Sequence, residues 1–174
     1  MRLVRYNVAA SLDGFIATED GGYDWIPHDD TIDFVSLFKN VDTVLLGRTT
    51  YELVLTQPER AWSASTRVYV FSSTLRASEH PDVTVVPDRA AEVVAALRAE
   101  PGTGDIWLFG GAKLFSSLLA AGQVDRIEIS VAPVLLGSGI PVNMPRTPQK
   151  RLALIGTTPY PSGLVTLNYR VEND

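Results

Sequence analysis

The chain has no cysteine, which excludes disulfides, thiolate metal sites and a cysteine nucleophile. Its only imidazoles are His28 and His80, so no histidine-rich metal site is expected. Positive charge is also scarce: 15 Lys and Arg stand against 20 Asp and Glu, for a net charge of −5. That balance argues against nonspecific binding to nucleic acid or an anionic membrane, while leaving room for a local basic site. No apolar run approaches the roughly 20 residues of a bilayer span. The N-terminus enters a strand-like pattern at once, with no apolar signal region. These absences predict a cytoplasmic protein with neither a nucleic-acid nor a membrane partner. The phosphate loop G-x-x-x-x-G-K-[ST] and the dinucleotide fingerprint G-x-G-x-x-G are missing as well, which disfavours a nucleotide triphosphatase or a Rossmann dehydrogenase. Gly137-Ser-Gly139 is only a fragment of such a motif, and no helix follows it.

What is present suits one soluble α/β domain spanning 1–174, with 45% hydrophobic and 20% charged residues. Strand patterns occupy 3–10, 43–47, 68–71, 83–86 and 106–109, then 124–131, 153–158 and 164–171. Between them, Asp29 or Asp30 is expected to cap a helix carrying Ile32, Phe34, Val35, Leu37, Phe38 and Val41. A second helix starts at Arg48 and ends by Pro58. Asp88 is the natural cap of a third, over 89–100. The fourth carries Leu114, Phe115, Leu118 and Leu119 on one face and stops near Gly122. Alternating strands and helices imply a mainly parallel sheet covered on both faces.

In such a sheet, ligands bind beyond the carboxyl ends of the strands. Three of those ends carry matching chemistry. Gly47-Arg48-Thr49-Thr50 places a glycine, a guanidinium and two hydroxyls at a helix start. Ser72-Ser73-Thr74 adds hydroxyls, with Arg76 nearby. Phe109-Gly110-Gly111-Ala112-Lys113-Leu114 runs from a buried strand into a helix whose free N–H groups and missing Cβ atoms admit a pyrophosphate. Together they suggest a cradle for a ligand with several phosphates, such as a dinucleotide. Each piece also has a structural explanation. Thr49 and Glu52 match a capping box, Ser72–Thr74 is ordinary turn composition, and two glycines can simply turn a strand into a helix.

Taken together, these segments resemble the dihydrofolate reductase superfamily, and within it the proteins related to the reductase domain of bacterial riboflavin biosynthesis. The likeness rests on Ser11-Leu-Asp-Gly14 with Ala17, Trp25-Ile26, Leu46-Gly-Arg-Thr-Thr-Tyr-Glu52, Phe71-Ser-Ser73, Leu108-Phe-Gly-Gly-Ala-Lys-Leu114 and Ala132-Pro-Val-Leu-Leu-Gly-Ser-Gly-Ile-Pro141. It implies a three-layer α/β/α fold around about eight strands, mostly parallel, with an antiparallel C-terminal strand. It also implies NADPH as hydride donor. Gly47, Arg48, Thr49 and Thr50 would meet cofactor phosphates, and Ser72, Ser73 and Thr74 the adenosine 2′-phosphate side. Phe109 to Leu114 would hold the pyrophosphate or nearby ribose, with Ala10 and Ile16 beside the nicotinamide. Ala10, Ser11, Asp13, Phe15, Trp25 and Asp30 would face substrate, Asp13 and Asp30 being the candidate catalytic carboxylates. Asp13 also suits a turn, and Trp25 a core position.

Three positions depart from the family's patterns. Thr31 stands where a dihydrofolate reductase keeps a carboxylate, with Asp30 and Asp33 close by. Phe15 stands where the riboflavin-pathway reductases carry a basic residue, and Gly47 to Thr50 replaces their Asp-Asp-Pro loop. The expected activity is NADPH-dependent hydride transfer to a small heterocyclic or ribosylamino-pyrimidine-like substrate, by a homodimer using the 124–131 and C-terminal strands as its face. A flavin- or deazaflavin-using reductase and a nucleotide-binding module without catalysis are the alternatives.

Overall fold

Residues of the first strand, β1 (Val4–Ser11), alternate between two environments. Val4 and Tyr6 are fully buried, whereas Arg5, Asn7 and Ala9 point to the other face, where a cleft opens. The computed structural model describes residues 1–60 and 62–172. Its further strands are β2 (Phe15–Ala17), β3 (Val41–Gly47), β4 (Arg67–Phe71), β5 (Thr84–Val86), β6 (Asp105–Gly110), β7 (Arg126–Ala132), β8 (Ile140–Pro141), β9 (Leu152–Pro159) and β10 (Val165–Val171). The helices are α1 (Phe34–Phe38), α2 (Arg48–Leu55), α3 (Ala90–Ala99) and α4 (Ala112–Ala120). Eight strands form one sheet in the order β5-β4-β3-β6-β1-β7-β10-β9, and β2 pairs with β8 separately. Only β10 runs against its seven sheet-mates, because it is antiparallel to both β7 and β9. Among the described residues, no helix is long and apolar enough to cross a membrane.

Two cores explain the layers. Ile106 and Leu108 of β6 join Val4, Tyr6 and Leu45 beneath Val94 and Leu97 of α3 and Leu114, Phe115, Leu118 and Leu119 of α4. Trp107 of β6 instead joins Val44, Leu46, Val68 and Val70 beneath Tyr51 and Val54 of α2, with Phe38 of α1 stacked on its ring at 3.8 Å. Buried aliphatic and aromatic side chains of this kind each stabilise the fold by about 1.5–3 kcal/mol. The unbroken apolar run of β6 follows from its place between β3 and β1, with both faces covered. Gly122 ends α4 at φ +68°, where its N–H donates to Leu119 and that of Gln123 to Leu118, as in a Schellman turn.

Three helix starts differ from expectation. Asp33, not Asp29 or Asp30, caps α1: its carboxylate accepts the Ser36 N–H at 3.0 Å and the Ser36 hydroxyl at 2.7 Å. Asp29 is committed elsewhere, to Thr31 and to the N–H of Ser162, so α1 shrinks to five residues, and Val41 belongs to β3. Asp88 does not cap α3, because Arg89 enters the cap position in a left-handed conformation with φ 53°. That leaves Asp88 one residue too far back. The Thr49–Glu52 capping box does not form either. Gly47 occupies the cap, and Glu52 accepts from Arg48 Nε at 2.7 Å.

Candidate active site

The carboxyl ends of β3 and β6 bring two helix starts against each other. A Cβ built on Gly47 would lie 3.5 Å from the Gly111 nitrogen, so the two backbones are in contact where α2 and α4 begin. A Cβ on Gly111 would lie 3.1 Å from Thr50 Oγ1, so a side chain there would crowd that hydroxyl. The Gly110–Gly111 peptide is cis. Helix starts leave backbone N–H groups unpaired, and their dipoles favour an anion. Arg48 extends this edge to β4: its Nη1 donates to Thr74 Oγ1 at 2.6 Å. Ser72 Oγ accepts from the N–H groups of Thr74 and Leu75, at 3.2 and 3.0 Å. The three strand ends chosen from the sequence thus meet along one edge. Thr49 and Lys113 are exposed in the first turns of α2 and α4, and Ala112 and Leu114 are buried under it.

Across β1, a cleft of about 690 Å³ lies between the sheet and residues 23–37. Its floor is ordered by strand register. One row is Ala9, Ser130, Thr166 and Thr158; the next is Asn7, Glu128, Asn168 and Gly156. Ser130 and Thr166 share a hydrogen bond between hydroxyls at 2.7 Å. Glu128 is 4% exposed and held on both oxygens: Arg5 Nε and Nη2 each donate at 2.9 Å, and Asn7 Nδ2 donates at 2.8 Å. Arg5 also reaches Asp105 at 3.2 Å. Burial works against the charge on Arg5, but the bonds and charges of Glu128 and then Asp105 outweigh it and raise its pKa. The roof is fastened by Asp29. Bonds from Ser162 first, and then Thr31, hold its carboxyl far below the usual range.

The expected substrate residues are distributed differently. Ala10 is buried on the face of β1 opposite the cleft, and it is Ala9 that lines the floor. Ser11 Oγ donates to Asp13 and accepts the Phe15 N–H, while Phe15 and Ile16 form β2. Asp13 is a loop anchor, not a poised acid. It accepts from Ser11 Oγ at 2.6 Å and from the N–H groups of Leu136 and Gly137 at 3.1 and 2.7 Å. These bonds, Ser11 first, lower its pKa, which makes it a poor proton donor near neutrality. Asp30 lies outside the cleft, its side chain 93% exposed and paired with His28. Trp25 is not a wall of the cleft. Its indole donates to the Gly22 carbonyl, and its neighbours Asp24 and Ile26 line the space instead.

Missed from the sequence were Arg5, Asn7, Glu128, Asn168 and the Ser130–Thr166 pair. Their signal was the polar alternation in 5–9 and 126–130, which reads as a solvated face until the roof over it is known. Strand β7 lies between β1 and β10, so it offers no free edge to a second subunit; the outer edge belongs to β9. Among the described residues, no group of three metal-ligating side chains occurs.

Residues 2–166 match the family described as the RibD C-terminal domain. The uncharacterized protein YwjB of Bacillus subtilis (strain 168) is 37% identical over 154 residues, covering 86% of this chain and 87% of that one. A solved structure of a Shewanella sp. PV-4 protein named for riboflavin biosynthesis superposes with a TM-score of 0.83 at 26% identity, covering 99% of this chain and 100% of the other. The Enterococcus faecalis dihydrofolate reductase, solved with NADP(H) and RAB-propyl, shares the fold with a TM-score of 0.69 at 17% identity, over 98% of this chain and 97% of its own.

Proposed function

Because this chain belongs to the RibD C-terminal domain family, we propose that it is an NADPH-dependent reductase of a small heterocyclic or ribosylamino-pyrimidine-like substrate, acting as a single domain. The observation that carries this reading is the contact between Gly47 and Gly111, which sets two helix starts side by side beyond a parallel sheet. The arrangement suits a pyrophosphate, with Arg48 and the Ser72–Thr74 turn as its outer polar wall.

NADPH, when bound, supplies the hydride. The chain's own part is placement. Gly110 to Lys113 would hold the phosphate-bearing middle of the cofactor, and Ala10 and Ile16 would flank the nicotinamide at the end of β1. The substrate ring then lies over Ala9 and the Ser130–Thr166 hydroxyls, where an electrophilic carbon can meet the hydride. The matching proton comes from water or from the substrate, since Asp13 and Asp30 are both committed elsewhere.

The test is thermal melting with NADPH, NADH and FMN titrated in parallel. A larger shift with NADPH than with NADH, reduced in Arg48→Ala, is the expected result. A shift with FMN alone would replace this reading by a flavin-dependent one. A dimer formed through β9, whose exposed side chains include Leu152, Leu154 and Ile155, belongs to the same proposal. Light scattering at a monomer mass would remove it.

A further inference from the structure

The second row of the cleft floor sets two asparagines on either side of one carboxylate. Asn7 stands beside Glu128 in the pairing of β1 and β7, and Asn168 stands opposite Glu128 in the pairing of β7 and β10. All three line the cleft. A carboxylate forked by a guanidinium accepts hydrogen bonds and has no proton to give. Glu128 accepts from Arg5 through both oxygens and from Asn7 Nδ2 at 2.8 Å.

An asparagine amide can turn over, exchanging its oxygen for its nitrogen. Glu128 removes that freedom at Asn7. Turned over, Asn7 Oδ1 would lie against a carboxylate oxygen with no proton between them. The amide nitrogen therefore stays on Glu128 and the amide oxygen stays off it. Among the described residues, Asn7 Oδ1 has no hydrogen-bond partner. Water satisfies such an oxygen in an open cleft, and a ligand that displaces the water must replace its bond or leave the oxygen bare. Asn168 is different: its amide has no hydrogen bond among the described residues, so nothing there fixes which way round it lies.

We propose that Asn7 determines specificity in this cleft, its amide oxygen accepting from an N–H of the bound ring, and that Glu128 is the positioning residue that keeps this oxygen turned to the ligand. The ligand class selected is a flat heterocycle with an unsubstituted N–H on the edge facing Asn7. The distance suits a ring over Ala9, which lies two residues from Asn7 along β1, about 7 Å. Asn168, two strand spacings or about 10 Å from Asn7, can offer either end of its amide to the far side of the ring. Discrimination thus sits at Asn7 and tolerance at Asn168. The proposal rests on the reductase reading in one respect, that the ligand of this cleft is a heterocycle.

The test is calorimetry with quinazoline-2,4-dione and its 1,3-dimethyl derivative, which lacks both N–H groups. Wild type should bind the dione about tenfold or more tightly, because the methylated ring leaves Asn7 Oδ1 without a partner. Asn7→Ala removes the oxygen and leaves the Arg5–Glu128 pair in place, and the preference should fall to about threefold or less. Glu128→Gln gives the sharper result. Its oxygen stays with Arg5 and its amide nitrogen draws Asn7 Oδ1 onto itself, so the preference should fall as far as in Asn7→Ala although the asparagine is still present. The two changes together should lower it no further, whereas a merely structural role of Glu128 would weaken both ligands alike and add to the first change. Equal affinities in wild type, no binding of the dione, or a preference that survives in either single variant would each overturn the proposal. The reductase reading is judged separately, by the melting shift with NADPH, which should be the same in wild type and Asn7→Ala.

Discussion

The two halves of the site are built on different principles. At the proposed cofactor edge, Gly47, Gly110 and Gly111 contribute backbone, and their lack of side chains is what lets α2 and α4 start side by side. Across β1, the cleft floor is made of side chains, one from each strand per row, tied together by Glu128. The first half is assembled from short contiguous segments and is open to solvent. The second is long-range, with residues 121 apart sharing one carboxylate. A backbone site tolerates changes in its surroundings but not added bulk, whereas a side-chain network tolerates bulk nearby but not the loss of a member. A site that keeps its cofactor end and rewrites its floor can change substrate without changing fold.

The largest test of that contrast is Glu128→Leu. It leaves the Arg5 guanidinium, whose side chain is 16% exposed, with Asp105 as its only carboxylate partner among the described residues. Breaking one side of a buried pair typically costs about 3–5 kcal/mol, and the partial exposure of Arg5 places this one near the lower figure. Urea unfolding measures it. Arg5→Met combined with Glu128→Leu should recover a large part, and a single variant costing under about 1 kcal/mol would show that the network does not hold the floor together.

At the other half, Arg48→Ala should act on binding and leave folding nearly intact. Charge-assisted bonds to a phosphate contribute about 1.5–3 kcal/mol, so NADPH affinity should fall about tenfold to a hundredfold. The lost Arg48–Glu52 pair is exposed and four residues apart on one helix, so the melting curve without ligand should shift by no more than about 0.5 kcal/mol. A variant that unfolds easily but binds normally would reverse the contrast between the two halves.

Gly111→Ala is subtler. The backbone there, at φ −95°, accepts alanine, and the crowding is against Thr50 Oγ1 at 3.1 Å. Folding should lose about 1 kcal/mol or less. Cofactor affinity should drop about tenfold, because the methyl group occupies the approach to the helix start. Adding Thr50→Ala, which removes the crowded hydroxyl, should recover part of the stability and none of the affinity. Recovery of both would mean that the cofactor does not approach this backbone.

The same contrast explains what could be read from the sequence. The strand ends were visible because their chemistry is contiguous: Gly47-Arg48-Thr49-Thr50 and Gly110-Gly111 each lie at a junction that hydrophobic pattern alone locates. The order of strands and helices came from the residue pattern, and the antiparallel C-terminal strand of an eight-stranded sheet with the family resemblance. The floor was not visible, because Asn7, Glu128 and Asn168 become one row only when register is known. Asp29 shows the limit on caps. Its spacing before Ile32 and Phe34 fits a helix start, but Ser162, 133 residues away, takes one of its oxygens. Asp30, chosen because it adjoins Thr31 at the family's carboxylate position, faces solvent beside His28, while its neighbour Asp29 takes the bonds to Thr31 and Ser162.

That bond carries the smallest effect, and its sign follows from linkage. The Asp29 carboxyl is held below its ordinary value in the folded chain by Ser162 and Thr31. A group depressed in this way stabilises the fold above its unfolded pKa of about 3.9, and the contribution is lost as the pH falls toward the folded value. Asp29→Asn removes the ionisation and weakens the acceptance of the Ser162 N–H. Wild type should therefore melt higher than the variant from about pH 5 upward, with the gap closing steadily toward about pH 2. The fastening joins the roof to the turn between β9 and β10, so substrate affinity should weaken with it while NADPH affinity does not. A melting gap that stays constant down to about pH 2 would mean that shape, and not charge, makes Asp29 the fastening, and the roof would then be held as the cofactor edge is, by fit rather than by a titratable group.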